Sequence, residues 1–217
     1  METAGTPIPA SHIFPGAGSL QEMVTKCTQR KGNLMIALQI LDIRKCMAAF
    51  LIDPLFDKYS LIEAQITTFC TFTIDGRLEK RFFADESDGR EAGSVPDAAS
   101  AGGTASPVQP GLRPSYIKWE QVKETCFSII KGKQTPLLIK LVLFYPEELL
   151  SDFVRRTEST VSPGQVSGLC LNLRYDRSGL VLTTGTSLTV FTPDRSVERA
   201  WDDAVKKLLD SRGISFS

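Results

Sequence analysis

The chain has 217 residues, of which 42% are hydrophobic and 23% charged, with 25 basic and 25 acidic side chains and a formal net charge of zero. That is enough chain for one domain to bury a core without disulfide or metal staples. The charge balance removes the electrostatic case for a nucleic-acid or anionic-membrane partner.

Residues 1–34 are rich in Gly, Pro, Ser and Thr and have weak periodicity. They lack the basic start and apolar stretch of a signal peptide. Ser19-Leu20-Gln21-Glu22 has the pattern of a helix cap, with only a thin apolar face behind it. At Met35 the character changes to MIALQILDI. The codons of Arg30-Lys31-Gly32-Asn33 are necessarily purine-rich and sit at the distance of a bacterial ribosome-binding site from the Met35 codon. We therefore expect translation to begin at Met35, the alternative being a genuine disordered tail. The intact mass of the native protein separates the two.

From Met35 the pattern predicts a strand at 36–41 and then a helix. Ile43, Cys46, Met47, Phe50 and Leu51 recur at helical spacing, with Asp42 as the cap and Asp53-Pro54 as the stop. Alternation over 61–74 predicts one long strand with Ile66, Cys70, Phe72 and Ile74 on one face and Thr67, Thr71 and Thr73 on the other. Asp75-Gly76 reads as a hairpin turn leading back through 78–83. Residues 84–115 are small, polar and rich in Gly and Pro. They hold too few large apolar side chains to repay ordering entropy, which predicts a disordered insertion.

Order resumes at Tyr116. Trp119, Val122, Cys126, Ile129 and Ile130 mark a helix face that ends at Gly132. Residues 136–145 form a nearly continuous apolar run, the mark of a central strand. Pro146-Glu147-Glu148 opens a helix that Arg155-Arg156 closes, each charge opposing the nearer dipole end. Strands at 168–175, 180–184 and 186–191 follow, the first two joined by a tight Asp176–Gly179 turn. The last helix starts from Thr192-Pro193. Its apolar stripe comprises Val197, Ala200, Trp201, Ala204, Val205, Leu208 and Leu209. Glu198, Arg199, Asp202, Asp203, Lys206 and Lys207 are expected to face water.

The expected architecture is α+β. A mixed, mainly antiparallel sheet carries helices on one face, in the order β-α-β-β-(insertion)-α-β-α-β-β-β-α. The repeated strand-helix-hairpin pattern suggests an internal β-α-β-β duplication. The domains are a disordered leader at 1–34 and one α+β domain at 35–217, interrupted by 84–115.

The segments MIALQILDIRKCM, EAQITTFCTFTIDG, YIKWEQVKETCFSIIKGKQTPL, SGLCLNLRYD and TTGTSLTVFTPDRSVERAWD resemble a family of uncharacterised cytoplasmic proteins from clostridium-like bacteria. The resemblance covers about 35–209, and members of that family begin at the equivalent of Met35. It implies a bacterial cytoplasm and carries over no catalytic residues. The element order is also that of halves of processivity-clamp domains, which makes a clamp-like DNA-associated domain a remote alternative. No motif supports it, and fold analogy alone licenses no function.

The chemistry is read by elimination. The sole histidine, His12, lies in the leader. Without it there is no His-based triad or general base, and most zinc and iron sites lack a ligand. The five cysteines are isolated and form no C-x-x-C, as expected of reduced thiols in a cytoplasm. Lys131-Gly132-Lys133-Gln134-Thr135 lacks phosphate-loop spacing and runs from helix to strand, the reverse of the order a phosphate loop needs. Thr183, Thr184, Thr186 and Ser187 form a hydroxyl cluster with no base in view.

Carboxylates remain, and Asp42, Asp57 and Glu63 are the candidate catalytic residues, with Asp53 and Asp75 beside them. Asp42 and Asp75 also suit a cap and a turn. The favoured function is a non-enzymatic binding or adaptor module with a protein partner. The alternative is a carboxylate-dependent, Mg-type enzyme acting on a phosphorylated small molecule or nucleotide. We expect no cofactor or resident metal, no nucleic-acid signature, no membrane association and a cytoplasmic location.

Overall fold

The computed structural model describes residues 36–79, Phe82 and 115–217. The expectations for the leader at 1–34 and, apart from Ser115, for the insertion at 84–115 lie outside the described residues. The elements are β1 (Ala37–Ile40), α1 (Ile43–Leu51), β2 (Ser60–Thr67), β3 (Thr71–Asp75), α2 (Lys123–Ile130), β4 (Leu138–Phe144), α3 (Glu147–Arg156), β5 (Val166–Asp176), β6 (Gly179–Leu188) and α4 (Ser196–Ser211). The fold is α+β, with six antiparallel strands in the order β1-β6-β5-β4-β2-β3.

Register explains which face is buried. Leu38, Leu182, Leu173, Leu141, Ala64 and Ile74 lie opposite one another in a row across all six strands. Because side chains alternate along a strand, the residues two positions on share this face. They include Ile40, Leu180, Ile139 and Ile66, each at most 2% exposed. Helices α1 to α4 all pack against these rows and join them in one core cluster. The opposite face carries Gln39, Glu63, Gln65, Thr73, Lys140 and Arg174, with Val142 and Cys170 buried among them. Antiparallel sheets commonly divide their faces in this way.

An aromatic chain crosses beneath the helices. Phe50 stacks on Phe56 with ring centroids 4.0 Å apart, and Phe56 meets Tyr59 at 5.2 Å. Tyr59 meets Tyr145 at 5.7 Å, and Tyr145 meets Trp201 at 5.2 Å and Phe153 at 5.8 Å. Each such pair contributes about 0.5–1.5 kcal/mol beyond its buried area. Trp119 Nε1 donates to the Phe50 carbonyl at 2.7 Å, and Trp201 Nε1 to the Cys170 carbonyl at 3.1 Å. The two indoles thus cap backbone acceptors that burial would otherwise leave unpaired.

Several element boundaries differ from the sequence reading. The long strand at 61–74 is itself a hairpin: β2 and β3 pair from Glu63↔Asp75 to Thr67↔Thr71 around a three-residue turn, Thr68-Phe69-Cys70. That turn has neither Gly nor Pro. It is closed by the Thr68 amide donating to the Cys70 carbonyl at 2.9 Å and by the Thr67 and Thr71 hydroxyls at 3.0 Å. Asp75-Gly76 therefore ends the hairpin and does not start one. Arg77 only bridges to Tyr116, and the described residues of 78–83 form no strand. The expected pair of strands at 180–184 and 186–191 is one strand, β6. Gly185 sits within it opposite Cys170, so six strands replace the expected seven among the described residues. The internal duplication does not extend to strand pairing: β4 lies beside β5, whereas β1 lies beside β6 and away from β2.

The final helix begins at Ser196, later than Thr192-Pro193 implies. Asp194 Oδ1 accepts from the Ser196 amide at 2.9 Å. Its Oδ2 accepts from the Thr160 amide and hydroxyl, both at 2.7 Å, tying the loop after α3 to the start of α4. The hydroxyl groups of Ser196 and Thr160, and then their amides, hold the Asp194 carboxyl well below the usual range. Two of the expected solvent-facing residues, Glu198 and Asp202, are buried, each 7% exposed. They lie one turn apart beside the apolar stripe, and Asp202 reaches the Thr184 hydroxyl on β6.

Candidate functional site

The three candidate carboxylates are not brought together. Asp42 precedes α1 at its N-cap position but makes no capping bond; it pairs instead with Lys45 at 3.0 Å. Asp57 follows the 3-10 turn Pro54–Phe56 and is ion-paired with Lys123, whose Nζ also donates to the Asp53 carbonyl at 3.2 Å. Asp42 and Asp57 thus lie beyond opposite ends of α1, a helix about 13 Å long at its nine residues. Glu63 is on the other side of the sheet, paired with Lys140 at 3.0 Å. Asp75 closes an Asx turn on the Arg77 amide at 3.0 Å. Among the described residues, no group of three or more His, Cys, Asp or Glu side chains could hold a metal ion.

The buried carboxylates among the described residues are instead Glu198 and Asp202, one turn apart on α4. Thr184 Oγ1 donates to Asp202 Oδ1 at 2.5 Å and accepts from the Ile36 amide at 3.3 Å. Glu198 Oε2 has no hydrogen-bond partner. Burial pushes both carboxyl groups up from their ordinary values. Arg195 opposes this at Glu198, and the Thr184 hydroxyl opposes it at Asp202. The sequence signal was there in principle: positions 198 and 202 are i, i+4, and both adjoin the Val197–Trp201 stripe.

Among the described residues an apolar groove of about 340 Å³ lies between α1 and α2. The geometry of α1 creates it. At 100° per residue, Cys46, Ala49 and Phe50 project into the core. Ile43, Met47, Ala48, Leu51 and Ile52 project along an adjoining arc that forms one wall. Phe127 and Ile130, one turn apart on α2, form the other wall. Thr135 and Pro136, just before β4, and Ile139 and Tyr175, paired across β4 and β5, complete the lining. Arg44 is the sole charged residue of the lining. Ile52 is 62% exposed, and Leu41 and Leu137, each next but one or next to a lining residue, are 63% and 48% exposed. The sequence reading took the apolar residues of α1 as one inward stripe. The clue in the sequence is width, since Ala48 and Ile52 extend the apolar arc beyond the stripe of Ile43, Cys46, Met47, Phe50 and Leu51.

The profile of one protein family matches residues 49–96 and 109–217 of the chain. The chain belongs to DUF5721, a family of unknown function. Most of the groove of this DUF5721 domain lies inside the matched region: Leu51, Ile52, Phe127, Ile130, Thr135, Pro136, Ile139 and Tyr175 fall within it. No curated protein and no solved structure shows significant similarity to the chain. No helix among the described residues is long and apolar enough to cross a membrane.

Proposed function

We propose that this DUF5721 domain is a non-enzymatic binding module that takes up a protein partner in the groove between α1 and α2. The observation that carries this reading is the groove itself, an open apolar channel whose wall residue Ile52 is 62% exposed. Contiguous apolar surface of this kind is costly to leave in water and marks interaction sites. A catalytic pocket combines an apolar wall with convergent polar groups of shifted pKa. This groove offers only the Thr135 and Tyr175 hydroxyls and Arg44. The candidate carboxylates Asp42, Asp57 and Glu63 are separated and each is paired with a lysine. The cysteine spacing, with no C-x-x-C, and the family resemblance support a bacterial cytoplasmic setting.

Site-specific photo-crosslinking tests this reading. A benzophenone side chain placed at Ile52 or at Met47 should give discrete protein adducts in extract of the source cells. One placed at Thr73, on the far face of the sheet, should not. Adding Ile52→Asp should remove the Met47 adduct while leaving the melting temperature within about 2 °C, since exposed substitutions move stability by at most about 0.5 kcal/mol. Equal crosslinking from Thr73 and Met47 would refute the proposal.

A further inference from the structure

The charges around the groove differ between its two ends. At the end formed by the start of α1, the loop after α2 and the β5–β6 turn, the acids are already occupied. Asp42 pairs with Lys45 at 3.0 Å. Asp176 accepts from Arg174 Nε at 3.0 Å and from the Ser178 amide at 2.9 Å. The cations left over there are Arg44 in the lining, Lys131 and Lys133 in the loop joining the lining residues Ile130 and Thr135, and Arg177 two residues after the lining residue Tyr175. All four are exposed, and none forms an ion pair among the described residues. The opposite end, beside Ile52, carries Asp53 and Glu124.

Resting on the reading of the groove as a protein-binding site, we infer that its occupant is a short amphipathic helix with carboxylates clustered at the end that meets Arg44, Lys131, Lys133 and Arg177. The walls are helices of nine and eight residues, about 13 and 12 Å long, which matches an occupant of two to three turns anchored by apolar side chains at i, i+4 and i+7. No strand edge lines the groove, so a partner must satisfy its own backbone, as a helix does. The near absence of polar groups inside leaves a small polar ligand with little to orient it. The partner's acids would gain at the basic end and be repelled by Asp53 and Glu124 at the other, which fixes its direction.

The test uses the full chain to select from a phage-displayed library of random 12-residue peptides, followed by affinity measurements on the synthesised peptides. We expect peptides with apolar anchors at helical spacing and Asp or Glu grouped at one end. Binding should weaken roughly tenfold between 50 and 300 mM NaCl, as screening predicts for several partly exposed ion pairs. The double variant Arg44→Glu, Lys133→Glu, at exposed positions, should stay folded by circular dichroism and should select basic peptides instead. Peptides lost on Ile52→Asp but neutral or basic in composition would overturn the helix-charge inference and leave the binding-module reading standing. Peptides indifferent to Ile52→Asp would overturn both. Dodecanoate binding in the groove at micromolar concentration with no peptide recovered would make the occupant a lipid-like molecule and refute both. An Ile52-dependent dimer in sedimentation velocity, with no peptide recovered, would assign the groove to a second copy and refute the inference.

Discussion

Cys70 and Cys46 carry the same side chain in opposite settings. Cys70 sits exposed in the β2–β3 turn, whereas Cys46, Cys126 and Cys170 are buried. Burial pushes the Cys46 thiol up to about 12, with Asp42 adding to the effect, and the Cys126 thiol up to about 11. In a Cys27→Ser background, a chromogenic disulfide reagent at pH 8 should therefore modify Cys70 in the native state and the other three only after unfolding. Fast native reaction of Cys46 would contradict the placement of α1. Asp202 makes a second prediction at this scale. Its folded pKa lies above its unfolded value, so its proton is bound more tightly in the folded state. Such a group favours folding fully below the unfolded pKa, and that contribution is lost as pH rises through the folded pKa. Asp202→Asn, which keeps an acceptor for the Thr184 hydroxyl, should then raise the melting temperature at pH 8 and leave it nearly unchanged at pH 3. Equal shifts at both values would show that charge is not the cause. Neither setting was legible in the sequence. Cys70 alternates with true core positions, and Asp202 is an acid in an otherwise amphipathic pattern. What places them is a turn without turn residues and the approach of β6.

Among the elements, those with one dominant signal were read well and those with two competing signals were not. The apolar run of β4 lies in the middle of the sheet, and α3 runs from Glu147 to Arg156 with its acids and bases at the expected ends. The β2–β3 hairpin was missed because Thr, Phe and Ile continue through its turn, so β propensity masked the reversal. The Asp75-Gly76 signal was real but served another purpose. A Cβ at Gly76 would lie 1.8 Å from the Leu61 carbonyl oxygen, so glycine is there for close approach of two backbones. The Gly76 amide donates to the Ile62 carbonyl at 3.0 Å, and its own carbonyl accepts from Ile117 at 2.8 Å. Gly76→Ala should consequently destabilise the domain by about 3 kcal/mol, the upper range for overpacking that must move backbone. Urea denaturation measures it, and a loss under roughly 0.5 kcal/mol, the size of an ordinary surface substitution, would contradict the close approach. Removing the Trp119 indole bond is gentler: Trp119→Phe leaves the Phe50 carbonyl unpaired and should cost about 1–3 kcal/mol.

For the molecule as a whole, the α+β class and the antiparallel sheet were legible, because patterning reports which face of each element is apolar. Strand order was not, because pairing partners distant in sequence leave no local trace. The groove was hidden for the same reason: its walls come from 43–52 and 127–136, and only the folded chain sets them side by side. Its charged end is equally composite, drawn from α1, the loop after α2 and the β5–β6 turn. The Ile52→Asp and Arg44→Glu, Lys133→Glu variants act at this scale. They alter how the domain meets another molecule and should leave its own stability nearly untouched.

The placement of β1 also bears on how the chain is made. β1 hydrogen-bonds to β6 on one side and, through Gln39 and Leu41, to residues 215–217 on the other. A ribosome releases β1 long before either partner has been synthesised. That strand must wait, its Leu38 and Ile40 without their sheet partners, until residues 180–183 and 215–217 have emerged. Closing so long a loop favours slow folding, in the millisecond-to-second range rather than microseconds, as about expected for non-local sheets. It also makes the nascent chain, more than the finished protein, the species most in need of a chaperone.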